Sequence, residues 1–245
     1  VAMSALAIAL HKKGHIITGS DKGFYPPVST YLKDAGVNYY PGWHPEKMTA
    51  NGDPDLVVVG NVAGSKNPEW LYVQEHNLEY CSYPELLKKE FIQETSIVCA
   101  GTYGKSTSTT LLSWILQQAG KDPSYMFGGV SRDDRTSAHI GDDPISIVEG
   151  DEYKSARWDN GAKFFHYSPT HLLLTSVVWD HADVYPTEKS YVDAFTELVN
   201  QVPEDGKIIV SAKVLHEVPK VLKEAKAKTV SYGKTEDNDY QYKHV

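Results

Sequence analysis

Cysteine is scarce: Cys81 and Cys99 are the two thiols in 245 residues. Two thiols give no disulfide framework of the secreted kind. Both lie in apolar, strand-like runs, so they read as buried free thiols suited to a reducing cytoplasm. Long apolar runs are missing too, and no stretch approaches the roughly 18 residues that cross a bilayer. The opening segment VAMSALAIALHKKGH carries its positive charges after the apolar run, so it reads as an amphipathic helix and not as a signal peptide. There is no basic excess. The formal net charge is −8, which argues against a general nucleic-acid binder and leaves any anionic ligand to local positive groups. Low-complexity tracts, internal repeats and flexible linkers are absent, and the length suits one large domain or two ordinary ones.

What is present is an alternation of helix and strand, the pattern of a parallel sheet covered on both faces. A helix is expected over about 2–13, a strand over 15–21 (HIITGSD), and a short helix in VSTYLKDAG ended by Gly36. VNYY and DLVVVGNVA (55–63) read as strands, Asn67-Pro68 as a helix start, LEYCS as a strand and PELLKKEFI as a helix. That completes one unit near residue 93. A second begins with the strand SIVCA (96–100), a glycine loop and a helix over about 105–119 that stops at Gly120. ISIVEGDE, HLLLTSVVW and KIIVSA supply further strands, and EKSYVDAFTELVNQV a helix. Past them, KTVSYGKTEDNDYQYKHV reads as a trailing polar segment.

Three segments carry chemistry. In Gly101-Thr102-Tyr103-Gly104-Lys105-Ser106-Thr107 the glycines let backbone N–H groups turn toward phosphate oxygens, and the following helix directs its positive end to the same place. Lys105 is placed for the β- and γ-phosphates of ATP, and the Ser106 hydroxyl for Mg²⁺. The generic phosphate-loop pattern has a glycine where this chain has Cys99. Glu149-Gly150-Asp151-Glu152 ends an apolar strand, where open α/β sheets bind ligands and hard oxygens suit Mg²⁺; an acidic surface loop would read the same way. Asp180-His181-Ala182-Asp183 follows another apolar strand and reads either as a metal or phosphate site or as a solvated turn. Together they gain weight, because each ends a strand of one sheet.

In this order and spacing, GTYGKST, EGDE and DHAD resemble the muramyl ligase family of peptidoglycan synthesis. EGDEYKSARWDNGAKFFHYSP and WDHADVYP are most similar to the branch that recycles cell-wall tripeptide by joining it to UDP-N-acetylmuramate. In the alanine-adding branch a serine follows the acidic element, where this chain has Tyr153. GWHPEKM, DLVVVGN and NPE extend the similarity over nearly all of the chain.

The resemblance implies an α/β fold: a Rossmann-like, UDP-sugar-binding domain over 1–93 and a P-loop-type ATPase central domain over 94–245, with helices on both faces of parallel sheets. It implies an ATP-dependent ligase. ATP phosphorylates the lactyl carboxylate of UDP-N-acetylmuramate, and the amine of a peptide or amino acid then attacks. Lys105, Glu149 and His181 would be the catalytic groups. Ser106 and Glu149 would hold one Mg²⁺, Glu149 and His181 a second, with Asp180 and Asp183 orienting His181. Ser20, Asp21, His44, Asn61, Gly128 and Gly129 would contact the UDP-sugar, although Ser20-Asp21 also reads as a cap or turn and the glycine pair as a turn. Trp158, Phe164, Phe165 and Tyr167 read as core. An N-terminal strand with its glycine turn and a third, C-terminal domain are expected to be missing, so the isolated chain would bind ATP weakly and not turn over. The alanine-adding ligase and a non-catalytic ATP-binding homologue are the alternatives. A P-loop kinase or GTPase does not account for the upstream unit.

Overall fold

The computed structural model describes residues 1–130 and 136–243. The chain opens with α1 (Ala2–Lys12), β1 (Thr18–Asp21), α2 (Val28–Asp34), β2 (Asn38–Pro41) and the single turn α3 (Pro45–Met48). β3 (Val57–Val59), α4 (Pro68–Glu75), β4 (Tyr80–Ser82) and α5 (Tyr83–Glu90) follow. The strands of this first unit form two separate parallel pairs, β1–β2 and β3–β4.

The second unit is built on β5 (Thr95–Ala100), α6 (Lys105–Gln118), β6 (Ser124–Met126), β7 (Ala138–His139) and β8 (Ile145–Gly150). It continues with β9 (His171–Leu174), α7 (Glu188–Gln201), β10 (Lys207–Ser211), α8 (Ala212–Glu217), β11 (Lys228–Gly233) and β12 (Tyr240–Gln241). Its eight strands lie in the order β12-β11-β10-β9-β5-β8-β6-β7, parallel except for the β6–β7 pair. The expected α/β architecture is therefore present. The polar tail supplies two further strands, β11 and the edge strand β12, that were not expected.

Alternation along β5 explains the two covered faces. Val98 and Ala100 belong to the large core with Leu86, Leu87 and Phe91 on one side of the sheet, joined by Tyr191, Phe195 and Leu198 of α7. Cys99 faces the other way, into a smaller cluster with Tyr125, Phe127 and Ile147, against which Leu112 and Leu116 of α6 pack. Leu6, Ala9 and Leu10 of α1 join the large core, so the two units share it. Both cysteines are free, Cys99 buried and Cys81 half-buried. Among the described residues no helix is long and apolar enough to cross a membrane.

Two strands are shorter than their apolar runs, each for a visible reason. β3 has three partners because β4 ends at Ser82, which opens α5 in a capping box with Glu85. β9 stops at Leu174 because Thr175 and Ser176 leave the ladder to hold the glycine loop.

Candidate functional site

Three neighbouring strands end level: Ala100 of β5 is in register with Gly150 of β8 and with Leu174 of β9. The segments that leave these ends meet over the C-terminal edge of the sheet. In the glycine loop Gly101 adopts φ 136°, and a Cβ there would stand 2.3 Å from Thr175 Oγ1. At Gly150 a Cβ would meet Ala100 Cβ at 2.8 Å, so β8 can lie close to β5 only with glycine there.

The loop is fixed by the turn after β9. Thr102 N–H donates to Ser176 O at 3.0 Å and Tyr103 N–H to Ser176 Oγ at 2.9 Å. Thr175 Oγ1 donates to Tyr103 O at 2.5 Å. The buried Thr102 hydroxyl donates to Val178 O and accepts from Val178 N–H, both at 2.9 Å. Thr102 and Tyr103, expected among the phosphate-cradling residues, thus turn their amides toward the protein. The N–H groups of Lys105, Ser106 and Thr107 begin α6, behind Gly104 at φ 84°. They have no intrahelical acceptor and remain available to an anion.

Two ion-pair and hydrogen-bond clusters join the three strand ends. In the first, Ser106 Oγ donates to Glu149 Oε1 at 2.8 Å, and Gly128 N–H donates to Glu149 Oε2 at 2.7 Å. This seats Gly128 at the site. The second centres on Glu152, whose side chain is 1% exposed. Lys105 Nζ lies 2.9 Å from its Oε2 and 3.0 Å from its Oε1. His181 Nε2 lies 3.2 Å from Oε1, and Tyr185 donates its hydroxyl proton to Glu152 O at 2.6 Å. Burial foremost, with the Glu152 charge added, holds the Tyr185 and Tyr191 hydroxyls well above the usual phenol range.

His181 has a left-handed backbone, φ 58°. Its N–H donates to Asp180 Oδ1 at 2.7 Å, while its ring Nδ1 lies 2.8 Å from Tyr153 Oη and 3.8 Å from Asp180. Tyr153 therefore occupies the orienting position expected for Asp180 and Asp183. The structure does not bring His181 and Glu149 into contact; each sits in its own cluster. Among the described residues no three His, Cys, Asp or Glu side chains converge as a metal cage. The donor chemistry nevertheless fits Mg²⁺, which takes few protein oxygens and completes its octahedron with water and phosphate. Ser106 Oγ and the Glu149 carboxylate are adjacent hard oxygens. Carboxylates at this edge also outnumber free cations, since Lys105 and Lys163 are already paired with Glu152 and Asp151.

In the first unit Glu69, not singled out from the sequence, gathers the expected residues. It is buried, accepts from Ser20 Oγ, and takes bonds from Tyr40 Oη and His44 N–H at 2.8 Å each. Burial, then the hydrogen bond to Glu69, pushes the Tyr40 hydroxyl upward. Asn67 places Glu69 by capping α4. The NPE segment was the available signal, but it shows a helix start and not these partners. Asp21 accepts from Lys22 N–H at 2.6 Å, the turn reading of Ser20-Asp21. Asn61 borders two cavities, each lined by residues of both units, and Gly129 accepts from Ser137 Oγ at 2.6 Å. Phe164 and Tyr167 are core, as expected. Trp158 is 42% exposed, and its ring stacks on Trp70 with centroids 5.4 Å apart.

Comparison with known proteins gives two family matches, the Mur ligase family catalytic domain over residues 1–94 and the Mur ligase middle domain over residues 99–245. The UDP-N-acetylmuramate–L-alanyl-gamma-D-glutamyl-meso-2,6-diaminoheptandioate ligase of Escherichia coli (strain K12) is 37% identical over 208 residues, 84% of this chain and 45% of the relative. The UDP-N-acetylmuramate–L-alanine ligase of Dictyoglomus turgidum is 30% identical over 205 residues, 83% of this chain and 42% of the relative. The crystal structure of the UDP-N-acetylmuramate:L-alanyl-gamma-D-glutamyl-meso-diaminopimelate ligase from Neisseria meningitides superposes with a TM-score of 0.87 at 28% identity. It covers 96% of this chain and 75% of that one. The chain spans less than half the length of the two curated relatives.

Proposed function

Because the chain belongs to the Mur ligase family, we propose that it forms the nucleotide-handling part of an ATP-dependent ligase joining UDP-N-acetylmuramate to a cell-wall peptide. Residues 94–245 hold ATP and residues 1–93 the UDP-sugar, around Ser20, Asp21, His44 and Asn61, with Gly128 and Gly129 at the junction. The observation that carries this reading is the level ending of β5, β8 and β9, over which Ser106 meets Glu149 while Lys105 and His181 meet Glu152.

The reaction must bring a carboxylate up to the γ-phosphate, so charge must be neutralised between two anions. Lys105 supplies one positive group and exchanges Glu152 for phosphate oxygens. The free N–H groups that open α6 supply fixed dipoles at the same place. Ser106 and Glu149 would hold Mg²⁺, which would supply charge neutralisation on the transferring phosphate; His181, with both ring nitrogens held by Tyr153 and Glu152, is not placed to share a second ion with Glu149. Tyr153 and Glu152 hold the two ring nitrogens of His181, so that its face toward the edge is constant.

Higher identity to the tripeptide ligase than to the alanine ligase, and Tyr153 in place of serine, favour a peptide acceptor. The test is ADP release by the full-length enzyme from ATP and UDP-N-acetylmuramate with either L-alanine or L-alanyl-γ-D-glutamyl-diaminopimelate as acceptor. Turnover with the peptide is expected; turnover with alanine alone overturns the choice of acceptor.

A further inference from the structure

The large core joins the two units through α1 and α5, which bring Leu6, Leu10, Leu86 and Phe91 to it. α4 lies outside that core. Its Trp70 and Val73 pack with Val59 in a small cluster of their own. Yet α4 carries Glu69, the buried acid that gathers Ser20, Tyr40 and His44. The second unit reaches α4 through the ring of Trp158, which stacks on Trp70 at an interplanar angle of 19°. Tyr80 meets both indoles edge-on, Trp70 at 4.9 Å and Trp158 at 5.1 Å between centroids. We propose that Trp158 is a positioning residue: through this clasp it sets α4, and the sugar-nucleotide residues around Glu69, against the strand ends that hold Lys105 and His181.

Trp158 sits at the tip of a braced hairpin. Ala156 N–H donates to Asp159 O at 3.1 Å and Asp159 N–H to Ala156 O at 3.3 Å, which closes a turn over Arg157 and Trp158. Below the turn Ser155 N–H donates to Gly161 O and Lys163 N–H to Tyr153 O, both at 2.9 Å, and Lys154 bridges Ala162. Asp159 is fixed in turn by Gly161 N–H at 2.8 Å and by His166 Nε2 at 2.9 Å. The base of the hairpin is Tyr153, 2.8 Å from His181 Nδ1, and it follows Glu152, the partner of Lys105. One stiff arm therefore runs from the strand ends to α4.

An indole left 42% exposed gains less from burial than a core aromatic does. What it offers is a broad contact with two rotatable bonds, in a stacked geometry that fixes orientation as well as distance. The role rests on the ligase reading, because it concerns a carboxylate carried by one unit meeting a phosphate held by the other. Reacting atoms must approach to about 3–3.5 Å. The arm from Tyr153 to Trp158 is roughly 16 Å long at the rise of a strand, so a tilt of about 4° displaces its far end by about 1 Å. A misplacement of that size costs on the order of 100-fold in rate.

The experiment compares the full-length parent enzyme with its Trp158→Ala and Trp158→Phe variants. Two measurements are made: steady-state ADP release, and the distance distribution between spin labels at Gln74→Cys on α4 and Glu204→Cys before β10, in a background whose native cysteines are alanine. Both label positions are exposed. Trp158→Ala should lower kcat about tenfold or more, leave the affinities for ATP and UDP-N-acetylmuramate within about twofold, and broaden the label distances. Trp158→Phe, which keeps a ring to stack on Trp70, should recover most of the rate and the narrow distribution. An unchanged distribution in Trp158→Ala overturns the clasp, whatever kcat does. So does a fall in kcat matched by a fall in either affinity, which is the mark of general structural damage. A distribution that broadens in Trp158→Ala and narrows again in Trp158→Phe, in an enzyme whose parent releases no ADP, supports the clasp and refutes the ligase reading.

Discussion

Replacing Glu152 by glutamine should move stability and nucleotide affinity in opposite directions. Its carboxylate is 1% exposed and pairs with Lys105, itself 14% exposed, at 2.9 Å. At an effective dielectric near 20, a pair at that distance attracts by roughly 6 kcal/mol before desolvation is counted. Removing one partner of such a buried pair typically costs about 3–5 kcal/mol. Glutamine keeps the shape and one acceptor oxygen for His181 and Lys105, so the expected loss is smaller, about 2–3 kcal/mol. In urea that lowers the unfolding midpoint by about 1 M. ATP gains instead: the phosphates no longer compete with Glu152 for Lys105, nor approach its negative charge. Titration calorimetry should show ATP binding several-fold tighter in Glu152→Gln than in the parent. An unchanged urea midpoint together with unchanged or weaker ATP binding would mean that Lys105 is not held by Glu152 in the free protein, and the argument fails.

Lys105→Ala should weaken ATP binding at least tenfold by calorimetry, as expected for a lost charge-assisted contact of about 1.5–3 kcal/mol; parent-like affinity removes Lys105 from the site. Gly101→Ala combines a left-handed backbone with a Cβ 2.3 Å from Thr175 Oγ1. Strain and overpacking together cost about 2–5 kcal/mol, to be read as a thermal midpoint lower by roughly 5 °C or more. Burial pushes the Cys81 and Cys99 thiols up to about 11, from 9.0. Folding thus disfavours their thiolates: the contribution of these two groups to stability is steady below pH 9 and falls as the pH rises from 9 to 11. Replacing both by alanine should flatten that part of the denaturation-versus-pH curve, and an unaltered slope would contradict the assignment.

The elements that bury an apolar face were legible in the sequence, because periodicity reports burial directly. β5, α6 and α7 lie close to where their patterns place them, and Gly101, Lys105, Glu149 and His181 do lie at or beyond the ends of the neighbouring strands β5, β8 and β9. Pairing partners were not legible. Glu149 and Glu152 are both acids after one strand, yet one meets Ser106 and the other Lys105 and His181. Which acid does which depends on the direction of the chain after Gly150. Glu69 reads as an ordinary first-turn acid of a capped helix, and only the fold brings Ser20, Tyr40 and His44 to it. The strands toward the two ends of the sheet, β6, β7, β11 and β12, have two to six residues each and carry no periodicity long enough to recognise.

The central place of β5 also governs when the site can exist during synthesis. One neighbour, β8, ends at Gly150, and the other, β9, at Leu174. At a translation rate of about 5–20 residues per second, Ala100 waits roughly 4–15 s for Leu174 to be made. Until Gly150 is made TSIVCA is an apolar strand with both edges open, and from then until Leu174 one edge stays open. In that interval a chaperone or a second nascent chain could pair with it. The order of the strands thus leaves the phosphate loop open on its β9 side until Leu174 is made, and a slow stretch of translation between residues 150 and 174 would lengthen the exposure.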